Sequence, residues 1–148
     1  MARRQYKQGI FKPSNPQKYN GSYPLIYRSS YEIRFFRWAD TNPNVVSWGS
    51  ESVVIPYFDP VKQKVRRYFV DNNITVKTPT GGEIKYLIEI KPACKTVPPV
   101  AKKHSKSLLR AQAEYINNKA KWDAAQQWSK KNNHEFVILT EKELGIKR

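Results

Sequence analysis

The apolar and polar positions change rhythm several times along this chain, and each change predicts an element. Residues 1–24 show little periodicity. Gly9, Pro13, Asn15, Pro16, Asn20, Gly21 and Pro24 fall among basic and aromatic side chains, a breaker-rich pattern. Helical spacing then begins. Ile33, Phe36 and Arg37 share a face that Phe35, Trp38 and Ala39 widen, with Ser29-Ser30 as a cap and Asn42-Pro43 as a stop. The period next shortens to two. Residues 45–48 and 52–58 read as strands, the second placed at an edge or bulge by Pro56. Residues 59–64 read as a turn and 65–71 as the returning strand. Asp71-Asn72-Asn73 interrupts or ends that strand before Ile74-Thr75-Val76 resumes it. Pro79 and Gly81-Gly82 then turn the chain into the run 85–92, completing an expected antiparallel meander of about four strands.

After Pro92 the pattern changes again. Residues 93–100 form a proline-bearing basic loop. Ser105 or Ser107 caps a long helix through Leu108, Ala111, Tyr115, Trp122 and Ala125 to about Lys131, which Asn132-Asn133 ends. Residues 136–140 read as a buried strand, expected to pair beside the run 85–92 through a crossover helix. The order helix, hairpins, helix, strand predicts an α/β protein, a mixed sheet with helices packed on it. Residues 1–24 are expected to be a basic N-terminal arm and 25–148 a single domain.

Charge narrows the partners. Against 12 Asp and Glu stand 27 Lys and Arg, a net charge of +15, which implies a polyanion. Nucleic acid is the first candidate and an anionic membrane surface the second. No apolar run approaches the length that spans a bilayer, and the basic residues are spread along the chain with no amphipathic anchor, so a membrane is not expected. The basic opening through Lys7 has no hydrophobic segment after it, which predicts a protein that is not secreted. Within the arm, Arg3, Arg4 and Lys7 suit a phosphate backbone, docking on a partner, or a merely basic terminus. Lys102, Lys103, Lys106 and Arg110 carry a second basic stretch into the long helix, and both stretches are DNA-binding candidates. Cys94 is the only cysteine, which excludes an internal disulfide and a multi-cysteine zinc site, and His104 and His134 do not make a zinc-hydrolase motif. A metal here would be a hard cation on carboxylates.

The candidate chemistry lies at the end of the run 85–92. In a strand Glu89 and Lys91 project from one face. Alone, such a pair is ordinary on an exposed edge strand. A hairpin, however, brings the ends of its strands together, so Asp71 is expected beside Glu89. Two converging carboxylates are costly unless a cation joins them, and Mg²⁺ (or Mn²⁺) takes one or two carboxylates and completes its shell with water and phosphate oxygens. Lys91 then orients or deprotonates water, or offsets charge in the transition state. Glu32 sits in the first turn of the first helix, where the helix dipole alone accounts for it. Glu51 and Asp59 are competing acids that read as strand-end and turn residues.

This order of acids resembles the PD-(D/E)xK nuclease superfamily, over about 28–140. Within it the chain is most similar to the endonuclease subunits of heteromeric transposases, through Ser29 to Glu32, Trp48, Ile55-Pro56-Tyr57, Tyr68 to Asp71 and Leu87 to Pro92. It also resembles the head completion proteins of T-even bacteriophages, small basic members of the same kind. The resemblance implies a restriction-endonuclease-like core and metal-dependent cleavage of double-stranded DNA. It implies Asp71, Glu89 and the Ile90 carbonyl as metal ligands, Lys91 as the catalytic lysine and Glu32 as an outer catalytic acid. It further implies a role in finishing a filled capsid before the tail attaches, in the virion or host cytoplasm, with portal or neck proteins as partners. The alternative is a DNA-binding virion structural protein that keeps the scaffold without catalysis.

Overall fold

The computed structural model describes residues 8–100 and 105–145. Two short strands, β1 (Gly9–Ile10) and β2 (Ile26–Tyr27), pair with each other and bracket a 3₁₀ turn at Pro16–Lys18. Helix α1 (Ser30–Thr41) follows, and the Ser29 side chain accepts from the Glu32 amide at 3.1 Å, the expected cap. Then come β3 (Val45–Ser50), β4 (Val54–Asp59), β5 (Lys64–Phe69), β6 (Asn72–Lys77) and β7 (Glu83–Ile90). The long helix α2 (Lys106–Lys131), capped by Ser105, leads to β8 (His134–Leu139) and the short α3 (Glu141–Leu144).

The main sheet has the order β3-β6-β7-β8. Its first three strands are antiparallel, and β8 runs parallel to β7, with Glu89 opposite Ile138. The crossover between these parallel neighbours runs through α2. Here the chain departs from the expected single meander: β4 and β5 form a two-stranded ribbon of their own. The interruption at Asp71 is the point where the chain leaves the ribbon and joins the main sheet as β6. Strand patterning cannot reveal this, because alternation continues across the change of partner. At the β6–β7 turn Gly81 has φ of +91°, a conformation that side-chain-bearing residues rarely adopt.

Alternation along β7 sends successive residues to two cores. Ile88 packs with Phe35, Phe36 and Ala39 of α1 and with Trp48, Ile74 and Val45. Leu87 packs on the other face with Trp122 and Ala125 of α2 and with Ile55, Tyr57, Tyr68 and Val70 from the ribbon. Trp48 is the centre of the first core, with Tyr19, Phe36 and Phe11 ring centroids at 4.9, 5.3 and 6.3 Å. Tyr19 and Leu25 are buried with it, so residues 8–27, largely aperiodic in sequence, lie against α1 and β3. Trp38, expected on the apolar side of α1, is 47% exposed, since Phe35, Phe36 and Ala39 already fill the face that meets the sheet.

Candidate active site

Asp71 is the single residue between Val70, whose amide donates to Val53 at 3.0 Å, and the first residue of β6. Its carbonyl accepts from the Glu51 amide at 3.0 Å, and its side-chain Oδ2 accepts from the Ile90 amide at 2.8 Å. The β6–β7 register, in which Asn72 faces Ile88, sets Asp71 against the Glu89 end of the neighbouring strand. Glu89 is on the same strand face as Leu87 and is 5% exposed. Its Oε1 accepts from the Tyr68 hydroxyl at 2.6 Å, and its Oε2 lies 3.7 Å from Lys91 Nζ. Lys91, directly after β7, has its amide bonded to the Leu139 carbonyl at 3.0 Å, so the parallel partner strand holds the backbone that carries it.

The electrostatics fit a cation. Burial raises the Asp71 carboxyl well above the usual carboxylate range, and the nearby Glu89 charge raises it further. The Ile90 amide pulls in the other direction, Glu32 adds to the rise and Lys91 offsets it. Burial also raises Glu32, whose Oε1 accepts from the Arg28 amide at 3.0 Å. Glu32 therefore stands within the field of Asp71 and is anchored to the chain just before α1. The Tyr68 hydroxyl is pushed far up, by burial and then by the Glu89 charge, so it remains a donor. Among the described residues no group of three or more His, Cys, Asp or Glu side chains has metal-holding geometry. The donor set on hand is a pair of partly desolvated carboxylates, too few for a cage of protein side chains and of the number that Mg²⁺ uses when water and phosphate complete its shell.

The structure thus brings Asp71, Glu89 and Lys91 together, with Glu32 as a more distant acid. The carboxylates of the competing acids are engaged in other contacts. Glu51 is on the surface, ion-paired to Arg28 at 2.7 Å. Asp59 closes the β4–β5 turn, accepting from Val61, Lys62 and Arg66. Lys106 and Arg110 are exposed in the first turns of α2, while Arg3, Arg4, Lys7, Lys102 and Lys103 lie outside the described residues. Two groups escaped the sequence reading. Tyr68 belongs to a strand whose facing was not readable from its pattern. Glu141, 5% exposed, accepts from the Ala93 amide at 3.0 Å and the Tyr31 hydroxyl at 3.3 Å, which ties the segment after Lys91 to α1 and α3. The capping box of Thr140 and Glu143 starts α3 and sets Glu141 at its first position, but nothing in that motif marks Glu141 itself.

An antiparallel hairpin with an acid at its open end, a Glu-x-Lys on the next strand and a parallel return strand define a nuclease-like core, and sequence comparison agrees. The family profile described as TnsA-like endonuclease N terminal matches residues 42–141, a span that contains Asp71, Glu89 and Lys91 and excludes Glu32. The chain belongs to the TnsA-like endonuclease family. It is 42% identical to the head completion nuclease of Enterobacteria phage T4, in an alignment covering 94% of this chain and 96% of that protein.

Proposed function

We propose that the chain is a divalent-metal-dependent endonuclease that hydrolyses phosphodiester bonds of double-stranded DNA, and that it acts on packaged phage DNA as the head is completed. The observation that carries the site assignment is the buried Glu89 carboxylate, set between the Tyr68 hydroxyl at 2.6 Å and Lys91 Nζ at 3.7 Å, with the charge-coupled Asp71 beside it. Asp71 and Glu89 would hold Mg²⁺ or Mn²⁺, with the Ile90 carbonyl as a third oxygen. The bound ion supplies Lewis-acid polarisation of the scissile phosphodiester.

The chain's own residues do the rest. Asp71 is fixed at backbone and side chain by the Glu51 and Ile90 amides, so its carboxylate is preorganised rather than recruited. Lys91, on the same face as Glu89, directs its ammonium toward the phosphoryl oxygens on which charge develops and orients the attacking water. Water adds to phosphorus, the bond to the leaving oxygen breaks, and that oxygen takes up a proton. Glu32 shapes the field around Asp71 as an outer acid. The net charge of +15, with Lys106 and Arg110 exposed at the start of α2, supplies a sequence-independent hold on the phosphate backbone. The 42% identity to the T4 head completion nuclease supports the virion setting, and portal or neck proteins are the partners this role requires.

The test is supercoiled plasmid and linear duplex incubated with the full-length protein in Mg²⁺, Mn²⁺ or EDTA. Nicked or linear product in the metal lanes alone supports the proposal. DNA that is retarded in a gel yet intact in every lane would replace it with a DNA-binding structural role.

A further inference from the structure

Glu89 reaches the site from the main sheet, but the group that fixes its carboxylate comes from the separate ribbon. Tyr68 of β5 donates its hydroxyl to Glu89 Oε1 at 2.6 Å, and the two residues are 4% and 5% exposed. The tyrosine ring has two close neighbours of its own. The Tyr57 ring stands edge-on at 6.4 Å, and Lys121 Nζ of α2 lies 5.7 Å from the Tyr68 ring centroid. The Tyr57 hydroxyl shares a 2.9 Å hydrogen bond with the Asn117 side chain of α2. The place of the Tyr68 hydroxyl is therefore set by how the ribbon docks on α2, not by the strand that carries Glu89.

This arrangement has a chemical consequence. Rotation of a glutamate carboxylate about its last torsion is broad and nearly two-fold, so an unanchored Glu89 would exchange its oxygens freely. A short bond to a buried phenol restricts that rotation and fixes the plane of the carboxylate. Oε1 is committed to Tyr68, and Oε2 is the oxygen presented toward Lys91. We propose that Tyr68 is a positioning residue, holding Glu89 so that Oε2 faces Lys91 and the divalent cation shared with Asp71. The ribbon is then part of the working site, although it carries no catalytic residue. This inference rests on the assignment of Asp71 and Glu89 as cation ligands.

The experiment titrates full-length wild type, Tyr68→Phe, Glu89→Ala, the double variant and Tyr57→Phe with Mn²⁺ in the absence of DNA, reading free Mn²⁺ by electron paramagnetic resonance. Melting curves confirm that each variant is folded. Tyr68→Phe keeps the ring and removes only the donor. Loss of a group that orients a ligand typically weakens metal binding about 10- to 100-fold, and that is the expected result. Cleavage should recover as Mn²⁺ is raised, Tyr57→Phe, which acts on Glu89 only through the docking of the ribbon, should weaken binding less than Tyr68→Phe, and Tyr68→Phe should add nothing in the Glu89→Ala background. Wild-type Mn²⁺ affinity in Tyr68→Phe, alongside weakened binding in Glu89→Ala, would overturn the role of Tyr68 alone. Equal weakening in Tyr57→Phe would also overturn it, by showing a general loosening of the ribbon. Unchanged affinity in Glu89→Ala would remove the ligand assignment and this inference with it.

Discussion

Asp40→Ala tests whether the N-terminal segment is a structural layer of the domain. Asp40 is 2% exposed and sits in the last turn of α1, where a carboxylate opposes the helix dipole. What holds it there is the preceding chain. Its Oδ2 accepts from the Ser14 amide at 2.8 Å and its Oδ1 from the Asn15 amide at 2.9 Å. Its backbone carbonyl accepts from Asn15 Nδ2 and Lys18 Nζ, contacts that survive the substitution. Alanine therefore strands two backbone donors and nothing else. Hydrogen bonds to a charged group contribute about 1.5–3 kcal/mol each, so the expected loss is roughly 3–6 kcal/mol. At this chain length each kcal/mol lowers Tm by about 2–4 °C, a fall of roughly 6–24 °C in all. Asp40→Asn keeps one acceptor and should lose about half as much. Urea and thermal unfolding give the stability, and amide exchange should show the Ser14 and Asn15 protons released while those of β7 stay protected. A loss below about 1 kcal/mol, or unchanged exchange at Ser14 and Asn15, would refute the reasoning.

Two further outcomes are expected. Because burial and the Glu89 charge raise the Asp71 carboxyl, the folded chain keeps a proton that the unfolded chain releases. Its contribution to stability is full below the ordinary carboxylate range and is lost as pH rises through the raised folded-state value. Asp71→Asn should flatten that part of the curve and raise Tm at neutral pH in EDTA, and coincident melting profiles for the two proteins would contradict this. Lys106→Ala and Arg110→Ala should each reduce the slope of log affinity for duplex DNA against log salt by about 1 with little change in stability, measured by anisotropy at several salt concentrations.

What the sequence revealed was local. Ser29-Ser30 and the pair Ser105 or Ser107 announced the two helix starts, and Ser29 and Ser105 are the caps that form, because an N-cap needs only a side-chain oxygen and the amides a turn ahead. The shared facing of Glu89 and Lys91 followed from the two-residue period of a strand, and the place of β8 beside β7 from the crossover helix. The remainder depends on partners distant in sequence. The step from ribbon to main sheet at Asp71 leaves alternation intact, so only the hydrogen-bonding partner distinguishes them. Residues 8–27 have little periodicity of their own; Asp40 and Trp48 impose their fold. Tyr68 faces Glu89 because the ribbon docks on α2, a tertiary choice that no run of five residues in β5 encodes.

Cleavage measured on site variants that still bind DNA tests the central claim most directly. Asp71→Ala, Glu89→Ala and Lys91→Ala, each shown by melting to be folded and by anisotropy to bind duplex with near wild-type affinity, are compared with wild type under single-turnover conditions in Mg²⁺ and Mn²⁺. The account predicts metal-dependent cutting by wild type and its loss in all three variants. A Glu89→Ala protein that binds and cuts as fast as wild type would place the chemistry elsewhere.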